Sequence, residues 1–431
     1  MFNAEQERAV QLVHEGKNVF ITGGAGVGKS YLLHHLVAEL REAGKRVCVT
    51  APTGCAADVI RGKTLHSALG LGLAKEDAEE LARKARNRPD ICKRWRNIDV
   101  LVIDEISMVA PEFFEKLCAV IRNVRRSKRA FGNIQVVLIG DFYQLPPILK
   151  RGHVGPKYVF QTETWQQLEL HPVILTQNKR QEDKSPFSEA LNNIRKGEIS
   201  SEDYALLSRR VGATLDHAPG VIPTSIYPLN AAVDAENAKR MAELSESEAA
   251  YFDMTVNLEY DDPTCKEDRS NLDAFKTAVL KSSRVPVHLE LRVGAQVMMT
   301  VNDTPARLFN GSRGVVIAFD TGMPVVRFKN GIHRIEAHTF VHEHEGGCGE
   351  VHLTQLPLAH AWANSVHKSQ GITLDAASVQ VNRRIFAPGQ AYVALSRVRT
   401  IEGLTLLGNF EPACVKADPL VSRFYRELGD L

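Results

Sequence analysis

Short runs of aliphatic and β-branched residues alternate with longer amphipathic segments along the first 150 residues of the chain. Continuous apolar runs are typical of buried strands, and apolar residues spaced three and four apart are typical of helices. We interpret four of the short runs, residues 18–22, 46–50, 98–103 and 135–139, as strands. Strands that alternate with helices in this way favour a parallel sheet with helices on its faces.

A second alternation of the same kind begins near residues 173–176 and 225–228, and resumes at 377–381 and 404–407. Between its two parts, from about residue 285 to 355, alternating apolar residues are separated by Gly-containing turns, as in NGSRGVVIAFD. This pattern of alternating apolar residues and turns predicts a small antiparallel barrel inserted into a second α/β domain. Residues 244–268 are acidic and poorly patterned, and their pattern supports no assignment.

The composition is ordinary for a soluble globular protein of two or three domains, with 431 residues, of which 44% are apolar and 24% charged. The first residues show no basic region followed by an apolar run, and no apolar run approaches the ~20 residues of a membrane-spanning helix. Seven cysteines are scattered without the close pairs of a zinc site or a disulfide framework. We therefore expect no membrane partner and a reducing, cytoplasmic location.

The net charge of +2 is too small to indicate a nucleic-acid partner by itself, because such a partner requires a locally basic face. Two dense basic stretches, residues 83–96 and 122–129, are candidates for such a face. A solvated helix surface accounts for either stretch equally well, so both interpretations stay open.

The most specific motif is GGAGVGKS, from Gly23 to Ser30, which follows the apolar run NVFIT and opens the helical pattern KSYLLHHLVAEL. A strand before it and a helix after it are the context that a phosphate-binding P-loop requires. The glycines, among them Gly26 and Gly28, let backbone amides turn toward phosphate oxygens at the helix N-terminus. We expect Lys29 to reach the β- and γ-phosphates of ATP, and the Ser30 hydroxyl to bind Mg²⁺. The alternative is a structural Gly-rich turn, and the complete motif argues against it.

Two further motifs place polar residues directly after apolar strands. The carboxyl ends of parallel strands form the edge of the sheet at which ligands bind. LVIDEISM contains Asp104, which suits the Mg²⁺ shell, and Glu105, which suits a general base for the attacking water. Solvated acids at a strand end are the alternative for this pair. Gln144, in GDFYQLPP after the run IQVVLIG, is a candidate for positioning the water, although alone it is more typical of a proline-stopped loop.

The motifs and their order resemble one family. IDEISMV, EFFEKL, FGNIQ and GDFYQLPP follow one another with a spacing similar to that of the Pif-one (petite integration frequency) DNA helicases of superfamily 1B. The block EFFEKLCAVIRNVRRSKRAFGNIQ is similar to the element that separates this family from RecD-type helicases, the nearest enzymatic alternative. The similarity continues through APTGCAA, GKTLHS, LTQNKRQ, LAHAWANSVHKSQGITL and GQAYVALSR, and so covers nearly the whole chain.

This resemblance implies an α/β fold of two RecA-like P-loop NTPase domains, with the small β-barrel inserted in the second. We expect the first domain at residues 1–170, with a small insertion near 60–75, and the second at 171–284 and 356–431. The barrel then occupies 285–355 and is similar to the family's domain that shields the single strand. Because the chain begins a few residues before Gln6, it resembles a compact bacterial or viral form or a trimmed core. A eukaryotic source would imply the nucleus or the mitochondrion.

The resemblance also implies roles for individual residues. Gln6 stands where the family reads the adenine base, and Gly371 belongs to a motif expected to lead toward the nucleotide. Arg180 and Arg397 correspond to arginines that reach across the cleft to the γ-phosphate, where a guanidinium stabilises transition-state charge. Lys179 replaces the aromatic residue usual before Arg180, which affects the expected packing there but not the arginine. A surface salt bridge is the alternative for either arginine.

The same motifs supply candidate contacts to DNA. An enzyme that moves along DNA contacts mostly the phosphate backbone, so that its movement does not depend on the base sequence. The candidates are Pro52, Thr53 and His66 from the first domain, and His367, Lys368 and Gln370 from the second. Hydroxyl, imidazole, ammonium and amide groups bond phosphates, and an imidazole also stacks on bases. A structural histidine is the alternative for His66.

The function implied by the resemblance is that of a Mg²⁺-ATP-dependent helicase, monomeric in solution, that moves 5′-to-3′ on single-stranded DNA. Forks, G-quadruplexes and RNA–DNA hybrids are the substrates that the family admits, in replication, repair or recombination. Two alternatives come from other classes: a DNA-binding module that hydrolyses ATP slowly, and a P-loop ATPase that remodels protein partners. The presence of Lys29, Glu105, Gln144 and Arg397 disfavours the first. Stimulation of hydrolysis by single-stranded DNA would exclude the second.

Overall fold

The computed structural model describes residues 2–70, 74, 76–149, 152–178, 185–215, 222–260, 269, 272–273, 275–277, 279–280, 283, 285–301, 303, 305–308, 310–344 and 349–429. Two α/β units and a region of antiparallel strands make up this part of the chain. Within it, the helices are too short or too polar to cross a lipid bilayer.

The first α/β unit is built on a six-stranded parallel sheet. Its strands are β1 (Val19–Gly23), β2 (Val47–Ala51), β3 (Lys63–Thr64), β4 (Val100–Ile103), β5 (Gln135–Gly140) and β6 (His171–Leu175). They lie in the order β3-β2-β4-β5-β1-β6. The helices are α1 (Ala4–His14), α2 (Lys29–Glu42), α3 (Gly54–Val59), α4 (Leu65–Leu69), α5 (Ala78–Arg86), α6 (Pro89–Asn97), α7 (Pro111–Val124) and α8 (Glu163–Gln167). Strands β1 and β4 are buried along their whole length, which explains their continuous apolar sequence.

Local signals set the helix boundaries of this unit. Asn3 and Gln6 form a capping box at the start of α1, in which each side chain accepts a hydrogen bond from the other residue's backbone amide. Helix α2 begins directly after Gly28, which has a left-handed φ of 87°. Proline stands in the first turn of α6 and of α7, where its missing amide hydrogen is not needed.

The second α/β unit has a four-stranded parallel sheet. Its strands are β7 (Thr224–Tyr227), β18 (Ala363–Ser365), β19 (Ala377–Val379) and β20 (Leu404–Leu406), in the order β18-β7-β19-β20. Its helices are α9 (Pro186–Arg195), α10 (Ser201–Ser208), α11 (Asn230–Ala242) and α12 (Gln390–Leu395). Leu191 and Ile194 of α9 share one apolar core with Tyr392 and Val393 of α12. The predicted α/β fold with two such units is confirmed.

The antiparallel region lies between β7 and β18 along the chain. Its strands are β8 (Ala249–Asp253), β9 (Thr255–Glu259), β10 (His288–Arg292), β11 (Gln296–Met299), β12 (Arg313–Asp320), β13 (Met323–Phe328), β14 (Gly331–Arg334), β15 (His338–His344), β16 (Gly349–Gln355) and β17 (Leu358–His360). In the described residues they form three sheets, β14-β13-β12-β11-β17, β15-β16-β9 and β10-β8, each with two edges. The antiparallel prediction for residues 285–355 therefore holds, whereas a closed barrel is not seen.

Several predicted boundaries need correction. Strand β6 was assigned to the second domain, yet it pairs with β1 from Val19 to Gly23. The insertion predicted near residues 60–75 contributes β3, which extends the first sheet beside β2, and α4, which packs in the first core. Strands β8 and β9 lie within the unassigned segment 244–268 and pair with β10 and β16 of the antiparallel region. An apolar pattern shows that an element is buried, but it does not show which neighbour covers it.

A further correction concerns helix α13 (Pro419–Glu427), which was assigned to the second domain. Val421 and Tyr425 of this helix are buried in the core of the first unit together with Phe20 of β1. The ring of Phe424 stacks on Phe160 with the centroids 4.3 Å apart. The chain therefore returns to the first unit after it has completed the second sheet.

Candidate nucleotide and nucleic-acid site

A cavity of about 400 Å³ lies between the two α/β units, where the strands of the first sheet end. This volume falls within the range of small-molecule sites. Eight residues that the sequence predicts for the nucleotide site line it: Gly26, Gly28, Lys29, Ser30, Glu105, Gln144, Gly371 and Arg397. Groups that are widely separated along the chain therefore meet in one cleft.

The P-loop packs so closely against a neighbouring strand that one of its glycines has no room for a side chain. A Cβ at Gly23 would lie 2.3 Å from the carbonyl oxygen of Leu175 on β6. Lys29 Nζ donates to the carbonyl oxygens of Gly23, at 2.6 Å, and of Gly24, at 2.8 Å. Burial lowers the pKa of Lys29, because it disfavours the charged ammonium. A phosphate group would offer this ammonium the counter-charge that carbonyl oxygens do not supply.

Asp104 and Glu105 follow β4 beside the P-loop. Asp104 Oδ1 accepts a hydrogen bond of 2.8 Å from the Glu105 backbone amide. Burial, reinforced by the charge of Glu105, raises the pKa of Asp104 to about 7. Burial also raises the pKa of Glu105, whose backbone has a left-handed φ of 49°. The Ser30 hydroxyl and the Asp104 carboxylate are oxygen donors of the kind that Mg²⁺ prefers, so these residues fit that ion.

Gln370 brings an amide group from the second unit to the acids of the first. Its Nε2 donates to Glu105 Oε2 at 2.9 Å and lies 3.5 Å from Gln144 Oε1. Its Oε1 is buried and has no hydrogen-bond partner among the described residues. The sequence predicts a DNA contact for Gln370 beside Lys368. The structure places this side chain against Glu105 of the nucleotide site, and the DNA contact stays a prediction.

Arg397 lines the wall of the cavity that belongs to the second unit and is only 1% exposed. Its Nε donates to the carbonyl oxygen of Val393 at 2.6 Å, and its Nη1 to those of Ser369 and Ile372 at 3.2 and 3.3 Å. The guanidinium charge opposes the effect of burial on the pKa of Glu105. Arg397 is therefore held in the cleft near the candidate general base.

Two other predicted nucleotide residues have different outcomes. Gln6 is buried beside the P-loop, since a Cβ at Gly28 would lie 3.1 Å from its Nε2. Tyr31, which is 61% exposed, lines the cavity. Base recognition by Gln6 stays a prediction. Arg180 lies outside the described residues.

The first-unit candidates for DNA contact lie in and after the turn that follows β2. Pro52 and Thr53 precede α3, and Thr53 Oγ1 accepts a hydrogen bond of 3.2 Å from the Ala56 amide. The ring of His66 stacks on Phe113 with centroids 4.1 Å apart and an interplanar angle of 21°. Burial lowers the pKa of His66, so the ring is neutral at pH 7.

The second-unit candidates lie just before Gln370. Lys368 is exposed, and His367 is half-buried. The His367 ring lies nearly parallel to that of Phe386, at a centroid distance of 6.3 Å and an angle of 18°. Phe386 is 62% exposed and was missed in the sequence, although an aromatic residue after two arginines, as in RRIF, is a signal for nucleic-acid contact.

Comparisons with known proteins extend these observations. The family model described as PIF1-like helicase matches residues 1–205. The ATP-dependent DNA helicase Pif1 of Bdellovibrio bacteriovorus is 32% identical, over 99% of this chain and 92% of its own length. This chain belongs to the Pif1 helicase family. The Pif1 helicase from Candida albicans has the same fold, with a TM-score of 0.82 at 34% identity over 99% of both chains.

Two other Pif1 proteins show how far the similarity reaches. The human ATP-dependent DNA helicase PIF1 is 39% identical over 98% of this chain, but the chain spans only 63% of its length. A Bacteroides Pif1 helicase solved in complex with ADP-AlF3 and single-stranded DNA is 30% identical, with a TM-score of 0.70 over 100% of this chain and 97% of its own. The similarity therefore includes both α/β units and the antiparallel region.

The site of this Pif1-family chain also contains residues that the sequence analysis missed. Asp141 and Arg195 form a buried ion pair beside Gln144, and Tyr392 contacts the P-loop. Asp141 directly follows the buried strand β5, in GDFYQLPP, which is a signal that was available. Arg195 ends a helix, where arginine is common on the surface, and its sequence context does not distinguish it.

Proposed function

We propose that this chain is a Mg²⁺- and ATP-dependent helicase that moves along single-stranded DNA. The observation that carries the proposal is the hydrogen bond from Gln370 to Glu105. It joins the candidate general base of the first unit to a segment of the second that also bears the exposed Lys368. One short segment therefore extends from the protein surface to the cleft. A motor needs such a link, since closure of the cleft must change contacts to the strand.

The cleft residues suit phosphoryl transfer to water. Lys29 would exchange the loop carbonyls for β- and γ-phosphate oxygens, and Arg397 would stabilise the charge of the transferred group. Glu105 would accept a proton from the attacking water, and a pKa raised toward the working pH favours that role. Mg²⁺ held by Ser30 and Asp104 would supply charge neutralisation at the phosphates. Gln144 would orient the water.

The proposed DNA contacts are one exposed lysine and three aromatic rings that come from both units. Lys368 supplies a charge, and His66, His367 and Phe386 supply rings on which unpaired bases stack. Stacking needs bases that are not paired, so these groups favour a single strand over a duplex. The Bacteroides relative solved with single-stranded DNA and ADP-AlF3 supports the same pair of ligands.

We further propose 5′-to-3′ movement, with forked DNA as a substrate and with G-quadruplexes and RNA–DNA hybrids as additional ones. Membership of the Pif1 family supports this part.

The test compares duplexes with a 5′ tail, with a 3′ tail, or with a quadruplex, and measures hydrolysis with and without single-stranded DNA. We expect single-stranded DNA to stimulate hydrolysis, and the 5′-tailed duplex to be separated faster than the 3′-tailed one. Lys29→Ala is the inactive control for both assays. Hydrolysis that DNA does not stimulate would instead support an ATPase that acts on protein partners. Stimulated hydrolysis without strand separation would leave a DNA-dependent ATPase that is not a helicase.

A further inference from the structure

A buried ion pair connects the two α/β units next to Gln144. Arg195, the last residue of α9, donates through Nε to Asp141 Oδ2 and through Nη2 to Asp141 Oδ1, at 3.0 Å in both cases. Asp141 follows β5 and is fully buried, and Arg195 is 6% exposed. A forked arginine–carboxylate contact of this kind fixes orientation as well as distance.

The same carboxylate holds the side chain of Gln144. Asp141 Oδ2, which accepts from Arg195, also accepts from Gln144 Nε2 at 3.3 Å. The other end of this amide, Gln144 Oε1, lies 3.5 Å from Gln370 Nε2. One end of the Gln144 amide is therefore held by Asp141 of its own unit, which Arg195 of the second unit contacts, and the other end lies against Gln370 of the second unit.

Arg195 also lies against the P-loop. A Cβ at Gly24 would lie 3.8 Å from Arg195 Cδ and 3.1 Å from the Tyr392 hydroxyl. The loop that binds phosphate, the ion pair and Gln144 are therefore contiguous. Movement of α9 relative to the first sheet would therefore alter the contacts of the P-loop, of the ion pair and of Gln144 together.

We propose that Arg195 is a positioning residue for ATP hydrolysis: docked on Asp141, it orients Gln144 toward the attacking water only when the two units are closed. This inference rests on the proposed function. When the cleft opens, Arg195 leaves Asp141 Oδ2, and the Gln144 amide loses the arrangement that fixes it. Cleft closure then controls hydrolysis through an arginine that acts on Gln144, in addition to Arg397 at the phosphate.

The first test is Arg195→Lys, which keeps the charge and loses the forked contact. Arg210→Lys is the matched control, because Arg210 in the same unit also makes a two-point contact, to the carbonyl oxygens of Leu404 and Glu402 at 2.7 and 2.9 Å. We expect Arg195→Lys to lower kcat of DNA-stimulated hydrolysis about tenfold or more, since misplacing a catalytic group by about 1 Å costs on the order of 100-fold. The KM for ATP and the affinity for oligothymidine should change less than about twofold, because ground-state binding is not involved. Arg210→Lys should keep the wild-type kcat.

A second readout does not depend on turnover. Binding of ADP alone is compared with binding of ADP plus aluminium fluoride, which mimics the transferred phosphoryl group, in the presence of Mg²⁺. We expect Arg195→Lys to weaken the aluminium fluoride complex and to leave the affinity for ADP unchanged. A variant that is merely less stable would lose both affinities or neither.

A double-mutant cycle with Gln144→Ala decides whether Arg195 acts through Gln144. If it does, Arg195→Lys has little further effect on kcat once Gln144 is absent, because coupled residues are not additive. Additive losses, or an unchanged kcat for Arg195→Lys, would overturn the proposal and leave the ion pair a structural one. If Arg195→Lys does not fold, Asp141→Asn enters the same cycle, because it keeps the side-chain shape and one acceptor oxygen. A wild-type protein without DNA-stimulated hydrolysis would overturn the proposed function instead, so the two failures are distinguishable.

Discussion

The backbone amide of Ala25 donates a hydrogen bond of 2.6 Å to the hydroxyl of Tyr392. Both residues are buried, and the bond joins the P-loop of the first α/β unit to α12 of the second. Arg397 follows α12 by two residues and donates to the Val393 carbonyl within that helix. The P-loop and the arginine of the opposite wall are therefore connected through one short helix.

Tyr392→Phe removes this hydroxyl and keeps the ring. We expect the free energy of unfolding to fall by about 1–2 kcal/mol, because a buried donor on the P-loop loses its acceptor. Urea denaturation followed by circular dichroism measures the change. Tyr251→Phe is the control, because the Tyr251 side chain is 70% exposed. An equal loss in the two variants would show that the bond to Ala25 contributes nothing.

Lys29→Ala should abolish ATP turnover and leave affinity for single-stranded DNA. The ammonium, held at the loop by the carbonyl oxygens of Gly23 and Gly24, is the charge expected to meet the phosphates. Steady-state hydrolysis and fluorescence anisotropy with a labelled oligonucleotide measure the two properties. Lys17→Ala, at an exposed position before β1, serves as control. Normal hydrolysis by Lys29→Ala would refute the assignment of the nucleotide site.

Glu105→Gln should bind ATP with Mg²⁺ but hydrolyse it far more slowly. The glutamine oxygen would still accept from Gln370, so the contact across the cleft survives while the general base is lost. Calorimetric titration with ATP and single-turnover hydrolysis separate binding from chemistry. If the affinity falls as much as the turnover, Glu105 has a structural role.

Lys368→Ala and His66→Ala should weaken DNA binding in different ways. Loss of one phosphate contact flattens the slope of log affinity against log salt by roughly 0.7 for a single strand. We expect this change for Lys368→Ala, which removes an exposed charge.

Because burial lowers the pKa of His66, that ring is uncharged at pH 7, and His66→Ala should lower the affinity without changing the slope. Anisotropy titrations across a range of salt concentrations measure both quantities, and a flattened slope for His66→Ala would mean that its ring is charged.

Elements built from contiguous signals could be predicted from the sequence. The P-loop is one such element, because β1, the glycine turn and α2 follow one another without interruption. The location of β6 could not be predicted, because an apolar strand carries no mark of the neighbour with which it pairs. Arg195 is similar: whether a helix-terminal arginine meets solvent or a buried carboxylate depends on a residue 54 positions away.

The two basic stretches show the same limit for charge. Within the second stretch, Arg125 Nη1 donates to the carbonyl oxygens of Trp95 and Ile98, at 2.7 and 3.2 Å. This arginine therefore joins the ends of two helices and is not available to a partner in that arrangement. In the first stretch, Lys84 pairs with Glu76 at 2.5 Å. For the remaining cations of both stretches the two interpretations stay open, and salt-dependent binding would distinguish them.

Tyr425 of α13 and Thr22 of β1 share a hydrogen bond of 2.6 Å between their hydroxyl groups, although they are 403 residues apart in the chain. The ring of Phe424 beside it lies 6.0 Å from that of Phe20, in the same core. Ribosomes release the chain in order from its N-terminus, and domains made early usually fold early. Here the apolar surface around Phe20 stays open until the second unit has been synthesised as well. The first unit therefore cannot complete its core until the last residues of the chain have been synthesised. If translation stops within the second unit, the apolar face of the first sheet around Phe20 stays exposed and is prone to aggregation.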